Sequence, residues 1–391
     1  MTSFSEIAGQ PMETPSSGLL EIDLGAIRAN YRLLQSRLAG ARCGGVVKAD
    51  AYGLGALHVA PALLAEGCRD FFVAHIDEAF ALQPVLPPDA TLYVLNGITR
   101  EAVRACAQAA IVPVLNSCDQ VNAWREEAQR LARPLPAVLQ IDTGMSRLGL
   151  TPAEVAELVG DVGAFVGLDV RFIMSHLACA DEPSHPANSE QLANFEQTRT
   201  LMLKHPALAR AGYSFANSAG IFLGADYHFD IVRPGVALYG VNSQPDSKNP
   251  MHSVVRLFTR VVQTREIMAD AHIGYGYSFT ASGPTRVATL AVGYADGWLR
   301  SQSGRGSGWC EGYQLPILGR VSMDSMSVDI SAVPDGLIHS GTPIELIGPH
   351  QTVDDVAIAA HTIGYEILTS LGHRYQRVYK DGSASSDAIK I

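Results

Sequence analysis

The chain has 391 residues, which is long enough for a large barrel and a second domain. Hydrophobic residues make up 47% of it and charged residues 17%, a balance typical of globular proteins and not of disordered or membrane proteins. With 29 Lys and Arg against 39 Asp and Glu, the formal net charge of -10 repels phosphate backbones and anionic lipid surfaces. We therefore expect neither nucleic acid nor a membrane among the partners.

The first residues and the cysteines bear on location. Residues 1–18 carry no basic stretch and no apolar stretch, so they are predicted to be a flexible leader and not an export signal. The six cysteines have neither the spacing of a zinc site nor that of a disulfide framework. We expect reduced thiols, a cytoplasmic location and no metal.

From residue 43 onward, short apolar runs alternate with amphipathic segments. Eight runs are predicted as strands: 44–49, 70–75, 91–96, 111–116, 137–142, 170–176, 213–217 and 230–235. Helices are predicted between them, for example at 56–67, 77–83, 100–110, 119–132 and 151–160. Buried strands that alternate with helices pair in parallel, so eight such units indicate an α/β fold with an N-terminal (βα)8 barrel over residues 19–245.

An open doubly wound sheet is the rival architecture for these units. No Gly-x-Gly-x-x-Gly turn follows the first strand, which counts against it. The Gly-rich stretch 304–312 follows no strand pattern and opens no helix, so it is predicted to be a loop.

A polar, Pro-containing stretch at 242–250 is predicted to be a linker, with a smaller, mostly β domain over residues 246–391. The runs 253–267, 285–294, 317–330 and 342–348 are rich in β-branched residues and are separated by Gly and Pro. One helix is predicted at 352–371, beginning with Thr352 and Asp355 at capping-box spacing, and a last strand at 373–379.

Reactive side chains follow five of the predicted barrel strands, at the end where such barrels carry their active sites. They are Lys48, Arg147, His176, Ser218 and Arg233, with Gly235 close behind. Burial lowers the pKa of a lysine and makes it a nucleophile toward carbonyls, although a lysine at a barrel rim also reaches solvent. Free N–H groups near Ser218 and Gly235 are suited to phosphate, although these two residues alone are better explained as an N-cap serine and a turn glycine. Together these groups fit pyridoxal phosphate better than a metal or a nucleotide.

The chain resembles the alanine racemases, pyridoxal-phosphate enzymes of fold type III, from about residue 19 to about residue 380. The motifs that carry the resemblance are, in order, EIDLGAIRANY, VVKADAYGLG, DTGMSRLG, SHLA, FANSAG, VRPGVALYG, GYGYSFTA, VGYADG, GRVSMD and GYEIL. The resemblance implies that Lys48 carries the cofactor, that His176 stacks on its ring, and that Arg147 faces its phenolic oxygen. It further implies that Arg233 donates to the ring nitrogen. The phosphate would be held by Tyr52, Ser218, Gly235, Val236 and Tyr365.

The resemblance also implies a two-base interconversion of L-alanine and D-alanine in a homodimer with shared active sites. Racemisation requires proton transfer on both faces of the α-carbon, and Lys48 serves one of them. The second base would be Tyr275 of the partner subunit, and not its neighbour Tyr277. Substrate binding would involve Arg147, Met323 and Asp324. A substrate corridor would comprise Tyr294, Tyr365, Arg300, Arg320 and Asp181.

One position departs from the family pattern. Many members carry a lysine, carbamylated in the mature protein, two residues before the Asp-Thr-Gly-Met motif, where this chain has Gln140. Glutamine cannot form a carbamate, although its neutral amide oxygen can accept from Arg147. Three other functions remain open from the residues alone: a racemase of broader substrate range, an amino acid decarboxylase of the same fold type, and a cofactor carrier without turnover.

Overall fold

The computed structural model describes residues 16–381. Its strands are β1 (Gly18–Asp23), β2 (Arg42–Cys43), β3 (Gly45–Val46), β4 (Asp70–Val73), β5 (Thr91–Val94), β6 (Val112–Leu115), β7 (Leu135–Gln140), β8 (Leu168–Met174), β9 (Gly212–Ser214), β10 (Ile231–Val232), β11 (Val255–Ile267), β12 (His272–Ile273), β13 (Phe279–Thr280), β14 (Thr285–Leu290), β15 (Ser307–Cys310), β16 (Tyr313–Leu318), β17 (Met326–Asp329), β18 (Pro343–Ile347) and β19 (Gln376–Lys380). The leader predicted at 1–18 lies outside the described residues except for its last three.

The longer helices lie between and after these strands. They are α1 (Leu24–Ser36), α2 (Ala56–Ala65), α3 (Ile76–Leu82), α4 (Val103–Gln108), α5 (Cys118–Leu131), α6 (Pro152–Gly160), α7 (Ala187–Met202), α8 (Val353–Ala360) and α9 (Gly364–Ser370). Capping boxes with a threonine at the cap begin two of them, through Thr151 with Glu154 at α6 and Thr352 with Asp355 at α8. The capping box predicted for Thr352 and Asp355 is therefore confirmed.

The first part of the chain forms the predicted parallel barrel. Strands β3 to β9 pair in parallel in chain order, and β10 pairs in parallel with β2. The N–H of Gly44, between β2 and β3, donates to the carbonyl of Val232 at 2.9 Å. On the other side of β10, the N–H of Arg233 donates to the carbonyl of Ala216 beyond β9, also at 2.9 Å. The sheet thus returns to its first strand, which confirms the barrel and excludes the open sheet.

The second part is a mostly antiparallel sheet of eight strands, in the order β14-β17-β16-β15-β18-β11-β1-β19. Strand β1 belongs to this sheet and not to the barrel, although the predicted barrel domain began at residue 19. It lies antiparallel to β11 and parallel to β19, and Leu19, Leu20 and Ile22 are fully buried. The predicted domain bounds, 19–245 and 246–391, stay a prediction. Within them, β1 pairs with the strands of the second domain and not with those of the barrel.

Two predictions for the second part are wrong in detail. The single helix predicted at 352–371 is two helices, because His361 ends α8 in the left-handed conformation at φ 56°. The loop predicted at 304–312 contains β15, which forms a hairpin with β16. Glu311 and Gly312, both at positive φ, make its two-residue turn. Glycine is needed in β15 for packing, since a Cβ on Gly308 would stand 2.6 Å from the side chain of Ile344.

Two negative observations apply to residues 16–381. No helix there is long and apolar enough to cross a lipid bilayer. No group of three or more His, Cys, Asp or Glu side chains within the same range is arranged to hold a metal ion.

We predict that Leu20→Ala lowers the free energy of unfolding by about 2–5 kcal/mol, because its side chain is fully buried on β1, the strand between β11 and β19, and its loss leaves a cavity. The measurement is denaturant unfolding of the full chain. Leu57→Ala is the control, since Leu57 is 51% exposed and its loss should cost less than about 0.5 kcal/mol. Equal losses in the two variants would contradict the structural role of β1.

Candidate active site

The predicted site residues on the barrel lie where its strands end. Lys48 comes two residues after β3, His176 two residues after β8, and Arg233 directly after β10. Arg147 follows β7 in the loop before α6, and Ser218 follows β9. We call this end of the barrel, where the carboxyl ends of the strands meet, the barrel mouth.

Lys48 stands at the start of a strained turn. The four residues Ala49–Tyr52 all have left-handed backbone angles, with φ between 52° and 57°. Each such residue other than glycine costs about 1–2 kcal/mol relative to the right-handed form, so the turn persists only because its surroundings hold it. Burial lowers the pKa of Lys48, the positive charge of Arg147 lowers it further, and the negative charge of Glu78 opposes both. A larger share of the amine is thus uncharged and nucleophilic.

His176 brings the cationic residues together. Burial lowers the pKa of its imidazole to about 3, and the positive charges of Arg233, Arg147 and Lys48 lower it in the same direction. All three cations therefore act on one ring at the barrel mouth. At neutral pH the ring is uncharged and offers a flat face to a planar ligand.

Arg233 is buried and is held by uncharged oxygens. One Nη donates to the hydroxyl of Ser214, and the other donates to the carbonyl of Ser175 at 2.6 Å. In the described part of the chain, no carboxylate pairs with it. Burial lowers the pKa of its guanidinium to about 9, so the group keeps its charge at neutral pH and acts only as a donor.

A chain of neutral hydrogen bonds supports this arrangement from α7. The Nε2 of Gln191 donates to the hydroxyl of Thr143 at 3.2 Å and to the carbonyl of His176 at 3.0 Å. The Thr143 and Ser175 hydroxyls lie 2.7 Å apart, and the carbonyl of Ser175 accepts from Arg233. Gln191 was not predicted as a site residue, because nothing near it in the chain signals a contact with the barrel mouth.

The loop that carries Arg147 is ordered by Asp142. Its Oδ1 accepts the N–H groups of Gly144 and Ser146 at 2.9 and 3.1 Å, which folds the backbone just before the arginine. Gln140 lies at the end of β7, but its amide donates to the carbonyl of Leu148 at 3.3 Å. No hydrogen bond joins Gln140 to Arg147 within the described residues.

The loops after β9 and β10 are joined by hydrogen bonds to the hydroxyl of Ser218. The hydroxyl of Ser218 accepts the N–H groups of Gly235 at 2.9 Å and Ala237 at 3.2 Å, around the start of the short helix Val236–Tyr239. A Cβ on Gly235 would stand only 2.3 Å from the hydroxyl of Tyr52, so a side chain there would displace that tyrosine.

Two tyrosines line the same region. The ring of Tyr52 lies 6.0 Å from that of Tyr365, which α9 of the second domain supplies. Burial raises the pKa of Tyr52, and burial with the nearby charge of Asp181 raises the pKa of Tyr365 to about 12. Both phenols therefore stay protonated at neutral pH and remain available as donors.

Within residues 16–381, Tyr275 does not contact the barrel mouth of its own chain. Its side chain is 72% exposed on the second domain, and among the described residues it makes no hydrogen bond or ring contact with the barrel. Neighbouring Tyr277 is 70% exposed and stacks on His272 at 4.5 Å. Met323 is also exposed on this domain.

The remaining predicted residues lie in loops of the second domain. Asp324 accepts a hydrogen bond from Arg374 at 2.7 Å, and the same guanidinium donates to the buried Asp296 at 2.6 Å. The N–H of Tyr294 donates to the carbonyl of Ser322 at 3.0 Å, which fixes the loop that carries Asp324. Arg374 was not predicted as a site residue, because its partners are far from it in the chain.

Two further residues of the predicted corridor, Arg300 and Arg320, also lie in the second domain. Arg300 is exposed at the start of a short 3-10 helix. Arg320 lies beside the Tyr275 segment, since its guanidinium would be 3.1 Å from a Cβ on Gly276.

Comparison with known proteins gives a consistent result. The family model for the alanine racemase N-terminal domain matches residues 22–243, and that for the C-terminal domain matches residues 254–379. A protein of Mesorhizobium japonicum named catabolic alanine racemase is 51% identical over 382 residues, covering 97% of this chain and 98% of the relative. The alanine racemase of Brucella canis is 49% identical over 377 residues, covering 93% of this chain and 94% of the relative.

A solved structure agrees with these sequence relatives. The crystal structure of alanine racemase from Bartonella henselae, with covalently bound pyridoxal phosphate, is 44% identical and matches with a TM-score of 0.89. The match covers 94% of this chain and all of the other. The resemblance found in the motifs is thereby confirmed, and the chain belongs to the alanine racemase family.

Proposed function

We propose that this protein interconverts L-alanine and D-alanine with pyridoxal phosphate as its cofactor, and that Lys48 carries the cofactor. The observation that supports the proposal best is the convergence of a lysine of lowered pKa and two arginines on one neutral histidine at the barrel mouth. Family membership supports the same activity.

The chemistry of the site residues fits pyridoxal phosphate. The ligand is a flat anionic ring with an aldehyde and a phosphate, and each part has a counterpart here. Lys48 offers an amine to the aldehyde and His176 offers a flat uncharged ring. Ser218, Tyr52 and Tyr365 offer hydroxyl donors to the phosphate, and Val236 offers its N–H. The N–H of Gly235 is held by the Ser218 hydroxyl, so Gly235 contributes the space beside these donors. Because Gly235 has no side chain, the Tyr52 hydroxyl can lie directly beside it.

Pyridoxal phosphate, when bound, withdraws electrons from the α-carbon of an amino acid and so makes its hydrogen acidic. The residues of the chain then decide what happens to the proton. Lys48 exchanges it on one face of the α-carbon. Arg233 would donate to the ring nitrogen. Because a guanidinium cannot accept a hydrogen bond, Arg233 would limit electron withdrawal by the ring and so favour return of the proton to the α-carbon over transamination.

A second base is needed on the opposite face, because a single base returns the proton to the side it came from. We assign this role to Tyr275 of a second copy of the chain. Its 72% exposure and its lack of contacts with its own barrel support the assignment. The functional unit is then a homodimer, and each active site combines Lys48 from one subunit with Tyr275 from the other.

The substrate carboxylate is anionic, and the proposed contacts are Arg147, the backbone at Met323, and Asp324. A free carboxylate at Asp324 would repel the substrate. The hydrogen bond from Arg374 at 2.7 Å offsets that charge, which supports a place for this loop beside the anionic end of alanine.

A cytoplasmic location is also part of the proposal. All six cysteines are unpaired, and four of them are buried. Unpaired thiols are typical of proteins in a reducing compartment.

We predict that purified protein with added pyridoxal phosphate converts L-alanine toward an equal mixture of enantiomers, and that Lys48→Ala lowers the rate about 100-fold or more. Chiral chromatography measures the conversion, and Lys248→Ala is the control, because Lys248 is an exposed lysine outside the barrel mouth. Conversion of other amino acids at a similar rate would make the enzyme a racemase of broader range. Release of carbon dioxide without D-alanine would contradict the proposal in favour of a decarboxylase.

We predict that Tyr275→Phe lowers exchange of the α-hydrogen about 100-fold or more when the reaction starts from L-alanine, and less when it starts from D-alanine. The measurement is deuterium uptake from heavy water into each enantiomer. Tyr277→Phe is the matched control, because Tyr277 is equally exposed and two residues away. Normal uptake in both directions by Tyr275→Phe would refute its role.

The same variant tests the shared site. Lys48→Ala and Tyr275→Phe chains that are refolded or expressed together should form mixed dimers, in which one of the two sites has both intact residues. Random pairing then restores about one quarter of the wild-type activity. If the two residues belonged to one subunit, mixing the variants would restore none.

We predict that Arg233→Glu raises the ratio of transamination to racemisation, because a carboxylate can accept a proton shared with the ring nitrogen. The ratio is measured from pyruvate and D-alanine produced in the same reaction. Arg233→Gln provides a second variant, since it keeps a neutral donor in the buried position and should raise the ratio less. An unchanged ratio in both folded variants would count against this role of Arg233.

A further inference from the structure

The carboxylate of Glu78, in the first turn of α3, contacts two segments of the barrel mouth. One oxygen accepts the backbone N–H of Ala49 at 2.5 Å, and the other accepts those of Ala74 at 2.7 Å and His75 at 3.0 Å. Ala49 directly follows Lys48, whereas Ala74 and His75 directly follow β4. One side chain thus connects the residue after the lysine with the end of the neighbouring strand.

Helix capping alone does not account for these contacts. A glutamate at the third position of a helix caps it by accepting the N–H of the residue before the helix, as Glu78 does with His75. Glu154 does the same at α6, where it accepts the N–H of Thr151 at 2.8 Å. The bond from Ala49 to Glu78 lies outside this pattern, because it comes from the preceding unit of the barrel.

The bond reaches the most strained segment of the site. Ala49 is the first of the four left-handed residues that follow Lys48, and such a turn requires external support. At the next residue of the turn, the carboxylate of Asp50 accepts the N–H of Ala56 at 2.7 Å, which ties the turn to α2. Glu78 provides the corresponding tie to β4, on the side next to the lysine.

The charge of Glu78 acts on the same residue. Burial and Arg147 lower the pKa of Lys48, and the carboxylate of Glu78 raises it. Loss of this carboxylate therefore has two separable effects: the turn loses an acceptor, and the lysine loses a compensating negative charge.

We propose that Glu78 is a positioning residue for Lys48, which holds the left-handed turn against the end of β4 and so fixes the direction of the lysine amine. It acts through the backbone and does not touch the cofactor. The inference rests on the proposed function only in taking Lys48 as the residue that carries pyridoxal phosphate.

Two variants separate the two effects. Glu78→Gln keeps the length of the side chain but removes its charge and leaves one acceptor oxygen for two segments. Glu78→Asp keeps the charge but is one methylene shorter, so it cannot reach Ala49 and the end of β4 together. Glu154→Gln is the matched control, because it removes the same charge from the same helix position away from the barrel mouth.

The first readout is amide hydrogen exchange of the full-length holoenzyme, followed by mass spectrometry on peptides that cover residues 48–53. Both Glu78 variants should exchange faster there than the wild type, whereas Glu154→Gln should not. Wild-type exchange of residues 48–53 in Glu78→Gln would overturn the proposal and leave Glu78 as a helix cap.

The second readout is the pH dependence of cofactor attachment. The full-length chain is stripped of its cofactor, pyridoxal phosphate is added at a series of pH values, and attachment is measured from the visible absorbance of the bound cofactor. Glu78→Gln should lower the midpoint, and Glu78→Asp should keep it near that of the wild type. If Glu78→Gln and Glu154→Gln attached the cofactor with the same pH midpoint, the proposed effect of the Glu78 charge on Lys48 would be overturned. If Lys48→Ala attaches the cofactor as the wild type does, the proposed function fails instead, while the exchange result still decides the role of Glu78.

Discussion

The concentration of positive charge at the barrel mouth is the constraint on which the rest of the site depends. Lys48, Arg147 and Arg233 all lower the pKa of the same histidine, in a chain whose net charge is -10. Buried charges are costly unless they are paired, and Arg233 has no carboxylate partner within the described residues. An anionic ligand completes the charge balance, and a phosphorylated cofactor with a phenolic oxygen has the required charge.

The surrounding residues orient these cations without neutralising them. Arg233 donates to the hydroxyl of Ser214 and to the carbonyl of Ser175, and Gln191 supports Ser175 through Thr143. Carboxylates in place of these neutral acceptors would have cancelled the charge that the ligand needs. Glu78 is the exception beside Lys48, and its two oxygens are shared among three backbone N–H groups. Its contacts therefore stabilise a strained turn as well as moderating the charge.

Local sequence signals predicted the barrel and the order of its site residues, because buried runs that alternate with helices leave one architecture and place the strand ends together. The same signals could not assign β1, since Leu19, Leu20 and Ile22 make an apolar strand that suits either sheet. They merged α8 and α9 because helical periodicity continues past His361, where only the backbone angle changes. Glycines misled in the same way at 304–312, where Gly304 and Gly312 lie in turns but Gly308 is needed in a strand for close packing.

Side chains that support the site from a distance had no sequence signal of their own. Glu78 stands at ordinary capping spacing, and its bond to Ala49 depends on how two barrel units meet. Arg374 reaches Asp296 and Asp324, which are 78 and 50 residues away in the chain. Motifs placed the groups proposed to touch the cofactor, whereas the groups that position them became visible only in the folded chain.

The second domain has two relations to the barrel, and they explain why one chain supplies half of each proposed active site. Its α9 packs on the lysine turn of its own chain: a Cβ on Gly53 would stand 2.7 Å from the carbonyl of Leu368, and Arg377 donates to the carbonyl of Gly53 at 3.1 Å. Tyr275, on the same domain, is exposed and separate from that turn. Because the domain is fixed against its own barrel at α9, the role proposed for Tyr275 requires the barrel of another copy. The contacts that stabilise Lys48 within a chain thereby favour a second base from the partner.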